Sequence, residues 1–411
     1  LYELGRWREG LAAATALTAT ADARADAGVR AEAWDWRGRL EGELAIADAE
    51  RSLQRAHQLA SEAGDDALAV HALVDLVDHL TALHRPADAV LVAELGRGAV
   101  ARAGGDELLA AELALARGDA LTDLGRFDDA RAELTDALAR LARRAPADDL
   151  RLALAAAYLA RNRSQAGAYA EADAAYRRAL ASFERALGPR HPKVAQVLNH
   201  LGSLARRRGR PAEAVAAYER ALAIAEPVYG AGAPETASKL GNLATALGQL
   251  GRLDEAAAGH ARALAIYEAT RGPDHLDTAI ELGDLGVVRR RQGRLDEALA
   301  LHRRALAIRQ RLGRGEAVSH HNLGQVLLDR GDPAGAEAEL RQAVELRTRE
   351  RGPEHPETLN DRLGLAEALI AGGHRDDARR ALRELLDATA ARLGADAPQL
   401  ILPLALAARC D

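Results

Sequence analysis

The chain has 411 residues, which exceeds the usual size of one hydrophobic core, so we expect several domains or an array of repeats. The net charge of −6 provides no basic field for nucleic acid, and the single cysteine, Cys410, excludes an internal disulfide or a cysteine metal cluster. We find no signal peptide and no apolar run near the roughly 20 residues of a membrane span, and therefore expect a cytoplasmic protein without membrane contact.

We predict irregular helical hairpins for residues 1–145. The hydrophobic share of the whole chain is 48% but the aromatic share only 3%, and the abundant Ala and Leu suit closely packed helices better than sheets. The first residues, from Leu4 to Trp7, look like the inside of a hairpin, so we expect a longer protein that continues N-terminal to Leu1. His84 stands where later turns carry glycine.

Residues 146–396 predict regular hairpins with a period of 42 residues, and the stretch Leu198–Pro234 is their template. Gly209 ends a first helix, Ala214 lies on the packed face of the second, and Pro234 opens the next unit. The glycines between the two helices keep this spacing apart from one step of 38 residues: Gly125, Gly167, Gly209, Gly251, Gly293, Gly331 and Gly373. The alanines of the second helices follow the same spacing from Ala130 onward, with the same 38-residue step, after two earlier steps of 40 and 41 residues: Ala49, Ala89, Ala130, Ala172, Ala214, Ala256, Ala298, Ala336 and Ala378.

Residues 397–411 predict a C-terminal capping helix or tail, because the stretch Gln399–Ala408 is apolar enough to cover the last hairpin. The complete pattern predicts an all-α solenoid of nine hairpins with a partial one in front. Each hairpin exposes an apolar face that only its neighbour can cover. We therefore expect the stability of the array to be nearly a sum of nearest-neighbour contributions.

The positions of the histidines in the repeats indicate structural roles for them. His191, His275 and His355 recur at equivalent connector positions, too far apart to share one ion, and we interpret them as polar caps of the following helices. His260 and His302 occupy the position of Tyr176 and Tyr218 in other repeats and should fill the core: all four have the same repeat register. No nucleophile elbow, phosphate loop or zinc signature occurs, so we predict no catalytic site, cofactor or metal.

The repeats resemble the tetratricopeptide repeat. Leu201-Gly202 in the first helix, followed by Ala214, Tyr218 and Ala221 in the second, is similar to that family's pattern, and the GPxH-type connectors resemble its kinesin-light-chain variety. This resemblance implies a right-handed superhelical solenoid whose concave face, formed by the first helices, binds partner proteins or extended peptides.

A narrower resemblance concerns the whole protein. Irregular Ala/Arg-rich helices followed by regular GRxDEA repeats are similar to the C-terminal region of bacterial serine/threonine protein kinases of the myxobacterial type. The resemblance implies a regulatory or substrate-recruiting region, although the glycine-rich loop, HRD and DFG motifs of a kinase are absent from this sequence. The alternative is the sensor or effector array of a bacterial transcription regulator or nucleotide-switch ATPase.

The candidate peptide-binding residues lie on the first helices, on the side opposite the packed Leu-Gly pairs. They are Asn199, His200, Ser203, Arg206, Arg207, Asn242, Thr245, Gln249, Asp284, Arg290, Arg291, His321, Asn322 and Gln325. An asparagine amide can donate to and accept from a peptide backbone. The arginines, together with Arg161 and Arg163, predict a preference for acidic partners. The alternative interpretation is a solvated polar face on which arginine stems cover alanines.

Overall fold

The protein is built from α-helices. A computed structural model describes residues 6–22, 26–44, 46–146, 149–393 and 400–408, and within these residues it contains helices and no strand. The chain divides into two units, Leu1–Ala246 (the first unit) and Leu247–Asp411 (the second unit). The all-α tetratricopeptide-type fold predicted from the sequence is confirmed. The predicted boundaries at residues 145 and 396 stay a prediction.

In the first unit the first helices of the hairpins carry even numbers and the second helices odd numbers. The helices are α1 (Trp7–Asp22), α2 (Ala27–Glu43), α3 (Ala49–Ala63), α4 (Asp66–Ala82), α5 (Pro86–Arg102), α6 (Glu107–Asp123), α7 (Phe127–Arg144), α8 (Leu150–Gln165), α9 (Tyr169–Leu187), α10 (Pro192–Arg207), α11 (Pro211–Tyr229) and α12 (Pro234–Gln249), whose last residues belong to the second unit. Consecutive even-numbered helices from α2 to α10 also contact one another, so they line a common inner face.

The second unit follows the same alternation. Its helices are α13 (Leu253–Thr270), α14 (Leu276–Arg291), α15 (Leu295–Leu312), α16 (Glu316–Asp329), α17 (Pro333–Arg351), α18 (Pro356–Ala371), α19 (Arg375–Leu393) and α20 (Ile401–Ala407). Helix α20 packs against α19 and buries Leu406. Gln399, Gly394, Cys410 and the N-terminal residues Leu4 and Gly5 lie outside the described residues.

The predicted repeat register is confirmed by burial. The nine alanines predicted to pack the second helices, from Ala49 to Ala378, are each 0% exposed. The seven predicted turn glycines have φ between 69° and 87°, a left-handed conformation in which a side chain is strained. His84 takes the same conformation with φ of 57° and is the only such non-glycine among the described residues.

A glycine in the first helix makes room for a large side chain from the second. A Cβ atom on Gly202 would lie 2.7 Å from the ring of Tyr218, and one on Gly286 would lie 2.6 Å from the ring of His302. Tyr218 and His302 are each 1% exposed, as is His260, which confirms that the two histidines fill the core. The small residue therefore sets how closely the two helices of a hairpin approach.

The connector histidines cap helices, as predicted. The imidazole Nδ1 of His191 accepts a hydrogen bond from the backbone N–H of Lys193 at 3.1 Å, at the start of α10. His275 and His355 accept the equivalent bonds at the starts of α14 and α18. Such a bond satisfies one of the backbone donors that a helix N-terminus leaves unpaired. In the part of the chain that the structure describes, no helix combines the length and the apolar character needed to cross a membrane.

Candidate functional site

Two predicted asparagines meet on the inner face of the first unit. Nδ2 of Asn242, on α12, donates a hydrogen bond to Oδ1 of Asn199, on α10, at 2.9 Å. Both side chains are half-buried rather than packed in the core. The pair retains an N–H donor on Asn199 and a carbonyl acceptor on Asn242, the two groups that a peptide backbone requires.

His200 lies beside this pair and stacks on Tyr176 of α9, with ring centroids 5.6 Å apart and an angle of 12° between the planes. Burial, with a smaller contribution from the charges of Arg161 and Lys239, lowers the pKa of His200 to about 3. The imidazole is therefore neutral and can accept or donate a hydrogen bond, but it does not attract an anion.

Ser203 and Arg206 are directed to the Tyr218 hydroxyl. Burial raises the pKa of Tyr218, and the hydrogen bonds from Arg206 and Ser203 oppose that shift. Arg207, one residue further along α10, is exposed. Of these three residues, two thus support the second helix of their own hairpin, and only Arg207 reaches solvent freely.

The second unit brings four predicted residues together. Arg290 from α14 and His321, Asn322 and Gln325 from α16 line a cavity of about 330 Å³. We call it the second-unit groove; His302 from α15 and Asn360 from α18 also line it. Nη1 of Arg290 lies 3.0 Å from a carboxylate oxygen of Asp329 and 3.4 Å from the Gln325 side-chain oxygen.

His302 is the buried member of the second-unit groove. Both of its ring nitrogens are enclosed and have no hydrogen-bond partner among the described residues. Burial lowers the pKa of His302 to about 4, with Arg290 and Arg309 adding to the effect, so the ring is neutral. A buried imidazole without partners is costly unless a ligand supplies the missing bond.

The remaining predicted residues do not line this groove. Arg291 donates a hydrogen bond to the backbone carbonyl of Gly248 at 2.6 Å, near the C-terminus of α12. The Thr245 hydroxyl donates to the carbonyl of Gly241 within its own helix at 3.0 Å. Gln249 is exposed, and Asp284 is half-buried, where it affects the pKa of Arg309. These contacts serve helix ends and neighbouring hairpins.

Arg161 is already ion-paired within the chain, and its predicted role toward acidic partners stays a prediction. Its guanidinium lies 2.7 Å from the carboxylate of Asp119 and 2.7 Å from that of Asp123, both on α6. Two carboxylates oppose one arginine here, and the inner face of the first unit is acidic at this place.

A second cavity, of about 400 Å³, lies on the inner face of the first unit. We call it the first-unit cavity, and its charged or hydroxyl-bearing lining side chains include Arg39, Asp75, Asp78, Asp119, Tyr158 and Lys193. They come from α2, α4, α6, α8 and α10, the successive first helices. This cavity was not predicted from the sequence. Its signal there is the pair Asp75 and Asp78, two carboxylates within the apolar run from Leu73 to Leu80 of α4.

Histidines and carboxylates are numerous near both cavities. Among the described residues, no group of three or more His, Cys, Asp or Glu side chains has an arrangement suited to a metal ion. We therefore discuss both cavities in terms of the hydrogen bonds and ion pairs that their side chains can form.

Solved structures similar to this chain come from several organisms, and three of them are described here. BtubC (BKLC) from P. vanneervenii is 29% identical over 57% of this chain and 94% of its own, with a TM-score of 0.47. The apo form of the quorum sensor NprR from B. thuringiensis is 14% identical, covers 86% and 97% of the two chains, and has a TM-score of 0.60. A signal-transduction ATPase with a tetratricopeptide repeat sensor from Pyrococcus horikoshii is 15% identical over 78% of this chain and 50% of its own, with a TM-score of 0.55.

The comparison with curated proteins found no match. A family model described as tetratricopeptide repeat matches residues 151–226, 235–311 and 315–391. These segments make up more than half of the 411 residues and contain the alternating helices from α8 to α19. Together with the burial of the packing alanines and the left-handed turn glycines, the match shows that this chain belongs to the tetratricopeptide repeat family.

Proposed function

We propose that the chain is a protein-interaction scaffold that binds an extended peptide in the second-unit groove. The observation that carries this proposal is the convergence of Arg290, Asn322 and Gln325 on one cavity, beside the unpartnered imidazole of His302. Amide side chains can bind the backbone of any peptide sequence, since they contain both a donor and an acceptor. Repeat proteins commonly use such inner surfaces for binding rather than for catalysis.

The charges in the groove favour a peptide with an acidic side chain. Arg290 is the cation nearest to its amides, and it is held at 3.0 Å by the half-exposed Asp329. An incoming carboxylate could replace Asp329 and form a two-pronged pair with the guanidinium. Asn199 and Asn242 in the first unit provide a further amide pair for a peptide backbone.

The cellular context of this binding remains a proposal from the sequence. We propose a cytoplasmic regulatory or substrate-recruiting region of a bacterial serine/threonine kinase, which the irregular Ala/Arg-rich segment and the GRxDEA repeats support. The alternative is a sensor array in a transcription regulator or nucleotide-switch ATPase. Two similar structures are described as a quorum sensor and as an ATPase with a tetratricopeptide repeat sensor, and their likeness to this chain concerns the fold. The reading frame upstream of Leu1 distinguishes these contexts.

The binding proposal is tested by selecting peptides from a random displayed library against the purified chain and measuring the affinity of the best ones. We expect Asn322→Ala to weaken binding several-fold, because one lost hydrogen bond is worth about 0.5–1.5 kcal/mol. Arg290→Glu should weaken acidic peptides more strongly, and less so at high salt.

Arg303→Glu is the matched control, since it reverses an exposed charge on the second helix α15. Wild-type affinity in both groove variants would contradict the proposed site. An equal loss in the Arg303 variant would show that net charge, and not the groove, determines binding.

A further inference from the structure

The first unit closes on itself through its outermost hairpins. The Trp7 ring, on α1, contacts Tyr229 of α11 edge-on at 5.7 Å and His191 at 6.3 Å. Arg8 donates a hydrogen bond to the backbone carbonyl of Tyr229. Helix α1 therefore meets a helix whose contacting residue Tyr229 follows Arg8 by 221 residues, a contact that stacking of successive hairpins alone does not require.

An ion pair completes this closure at the cavity. Nζ of Lys193, on α10, lies 2.8 Å from a carboxylate oxygen of Glu43, at the end of α2. Both residues line the first-unit cavity. The inner face of this unit is thus bounded by hairpins at both ends, and a ligand inside it would be surrounded by protein on several sides.

The carboxylates lining the cavity outnumber the cations. Five carboxylate residues and three cationic residues are among its described lining residues: Glu43, Asp75, Asp78, Asp119 and Asp123 against Arg39, Arg161 and Lys193. Arg39 lies 3.2 Å from Asp75, and Arg161 binds both Asp119 and Asp123. Each of these cations therefore has a carboxylate of its own already.

Asp78 has no cation within ion-pairing distance among the described residues. Its hydrogen-bond partner is the Tyr158 hydroxyl, at a long 3.4 Å. Beside it, His79 is only 7% exposed, and its Nε2 is buried without a hydrogen-bond partner in the described structure. Burial also lowers the pKa of His79, so its ring is neutral and can accept a hydrogen bond. Asp78 and His79 therefore line the same cavity, and each can accept a further hydrogen bond.

An apolar cavity of about 390 Å³ continues from this point. It shares Arg39, Asp75, Asp78 and Lys193 with the first-unit cavity. Its apolar lining includes Val74 of α4 and, from α6, α8 and α9, Leu115, Leu150, Leu154, Phe183 and Leu187. The shared carboxylates thus stand between a polar space and an apolar one.

We propose that the first-unit cavity binds a small amphipathic cation, with its ammonium or guanidinium group on Asp78 and His79 and its apolar body against Leu154 and Phe183. A bound cation favours the ionised form of Asp78, and its N–H groups can then donate both to that carboxylate and to His79. An apolar body gains by leaving water for the leucine-lined space. The same chemistry occurs in a free amine and at the amino end of an apolar peptide. This inference is independent of the second-unit groove.

The test is isothermal titration calorimetry of the full chain with phenylbutylamine, which combines an ammonium group with an apolar body. Three related compounds separate the contributions without altering the protein. Phenylbutanol lacks the charge, butylamine lacks the ring, and phenylbutyrate reverses the charge. We expect phenylbutylamine to bind at least tenfold more tightly than each of the other three.

Variants of the protein locate the binding. Asp78→Asn should weaken phenylbutylamine at least tenfold, while Asp128→Asn, on the exposed surface of α7, should leave its affinity unchanged. A thermal melt checks that the Asp78 variant is folded. Phenylbutylamine affinity unaffected by Asp78→Asn, or phenylbutanol binding as tightly as the amine, would overturn the inference.

Leucyl-phenylalaninamide distinguishes the two sources of the cation. Tighter binding of this dipeptide amide than of phenylbutylamine assigns the site to peptide amino ends, and the reverse order assigns it to free amines. Absence of binding by both compounds would refute the site.

Discussion

Replacing Asp78 by asparagine should stabilise the protein, and the gain should grow with pH. Burial, reinforced by the charges of Asp119, Asp75 and Glu43 and opposed by Lys193, raises the pKa of Asp78 to about 8. The ordinary pKa of an aspartate, as in the unfolded chain, is about 3.9. Between these two values the unfolded chain is ionised while the folded protein holds its proton. The carboxyl of Asp78 therefore costs no stability below about pH 4, and the free energy of unfolding falls as the pH rises from there toward 8.

The size of the effect follows from the same two values. At pH 7 the pH lies about three units above the unfolded-state pKa of Asp78. Each unit corresponds to about 1.36 kcal/mol, so the upper limit for the stability gained by Asp78→Asn is about 4 kcal/mol. The cavity beside Asp78 is large enough for water, whose solvation of the carboxylate reduces the gain below this limit. Asparagine has the same shape without the charge, so it removes the pH-dependent loss and keeps the packing.

Urea unfolding followed by circular dichroism, at intervals from about pH 5 to pH 8, measures the difference between the variant and the wild type. Asp361→Asn is the opposing control: it removes a buried carboxylate that lies 2.6 Å from the buried guanidinium of Arg347, so it should destabilise the protein. Asp128→Asn, on the exposed surface, should change little. A stability difference for Asp78→Asn that stays constant across the pH range would refute the reasoning, because a titrating carboxylate cannot produce it.

Three further predictions concern packing and binding. Ala214→Leu should cost about 1–3 kcal/mol by overpacking a residue that is 0% exposed, and an unchanged melting temperature would show that the repeat register is wrong. Gly202→Ala should also lower the melting temperature, because its Cβ would lie 2.7 Å from the Tyr218 ring, whereas Gly248→Ala meets nothing closer than 3.7 Å and should be neutral or gain up to about 1 kcal/mol. The same sign for both glycine variants would contradict this explanation. Asn242→Ala should weaken a bound peptide several-fold without unfolding the chain, since it removes one hydrogen bond of about 0.5–1.5 kcal/mol; wild-type affinity in a calorimetric titration would exclude the amide pair from the binding site.

The sequence predicts those features that repeat with the hairpin. The steric requirement for a small residue at Ala214 recurs in every unit, so its period is visible without a structure. The same holds for the left-handed turn at Gly209. Asn199 and Asn242 occupy nearly equivalent positions of adjacent repeats, 43 residues apart, and for that reason their placement on a common face was predictable, although their hydrogen bond was not.

The first-unit cavity was not predictable in this way, because it depends on contacts between distant hairpins. The ion pair of Glu43 and Lys193 joins residues that no repeat register relates. The ion-pair partners of Arg161 were not predictable for a similar reason. Its position in the repeat places it on the inner face, but the identity of its partners, Asp119 and Asp123, depends on the side chains of the preceding hairpin.

The packing of Trp7 against Tyr229 has a consequence for how the first unit unfolds. In a stack of hairpins, terminal hairpins fray independently, and loss of one leaves the rest nearly intact. Here α1, at the start of the unit, and α11, near its end, hold each other, so opening one exposes the buried surface of the other. The first unit should therefore lose its amide-exchange protection in one cooperative step. Because these contacts join residues far apart in the sequence, they should also slow its folding.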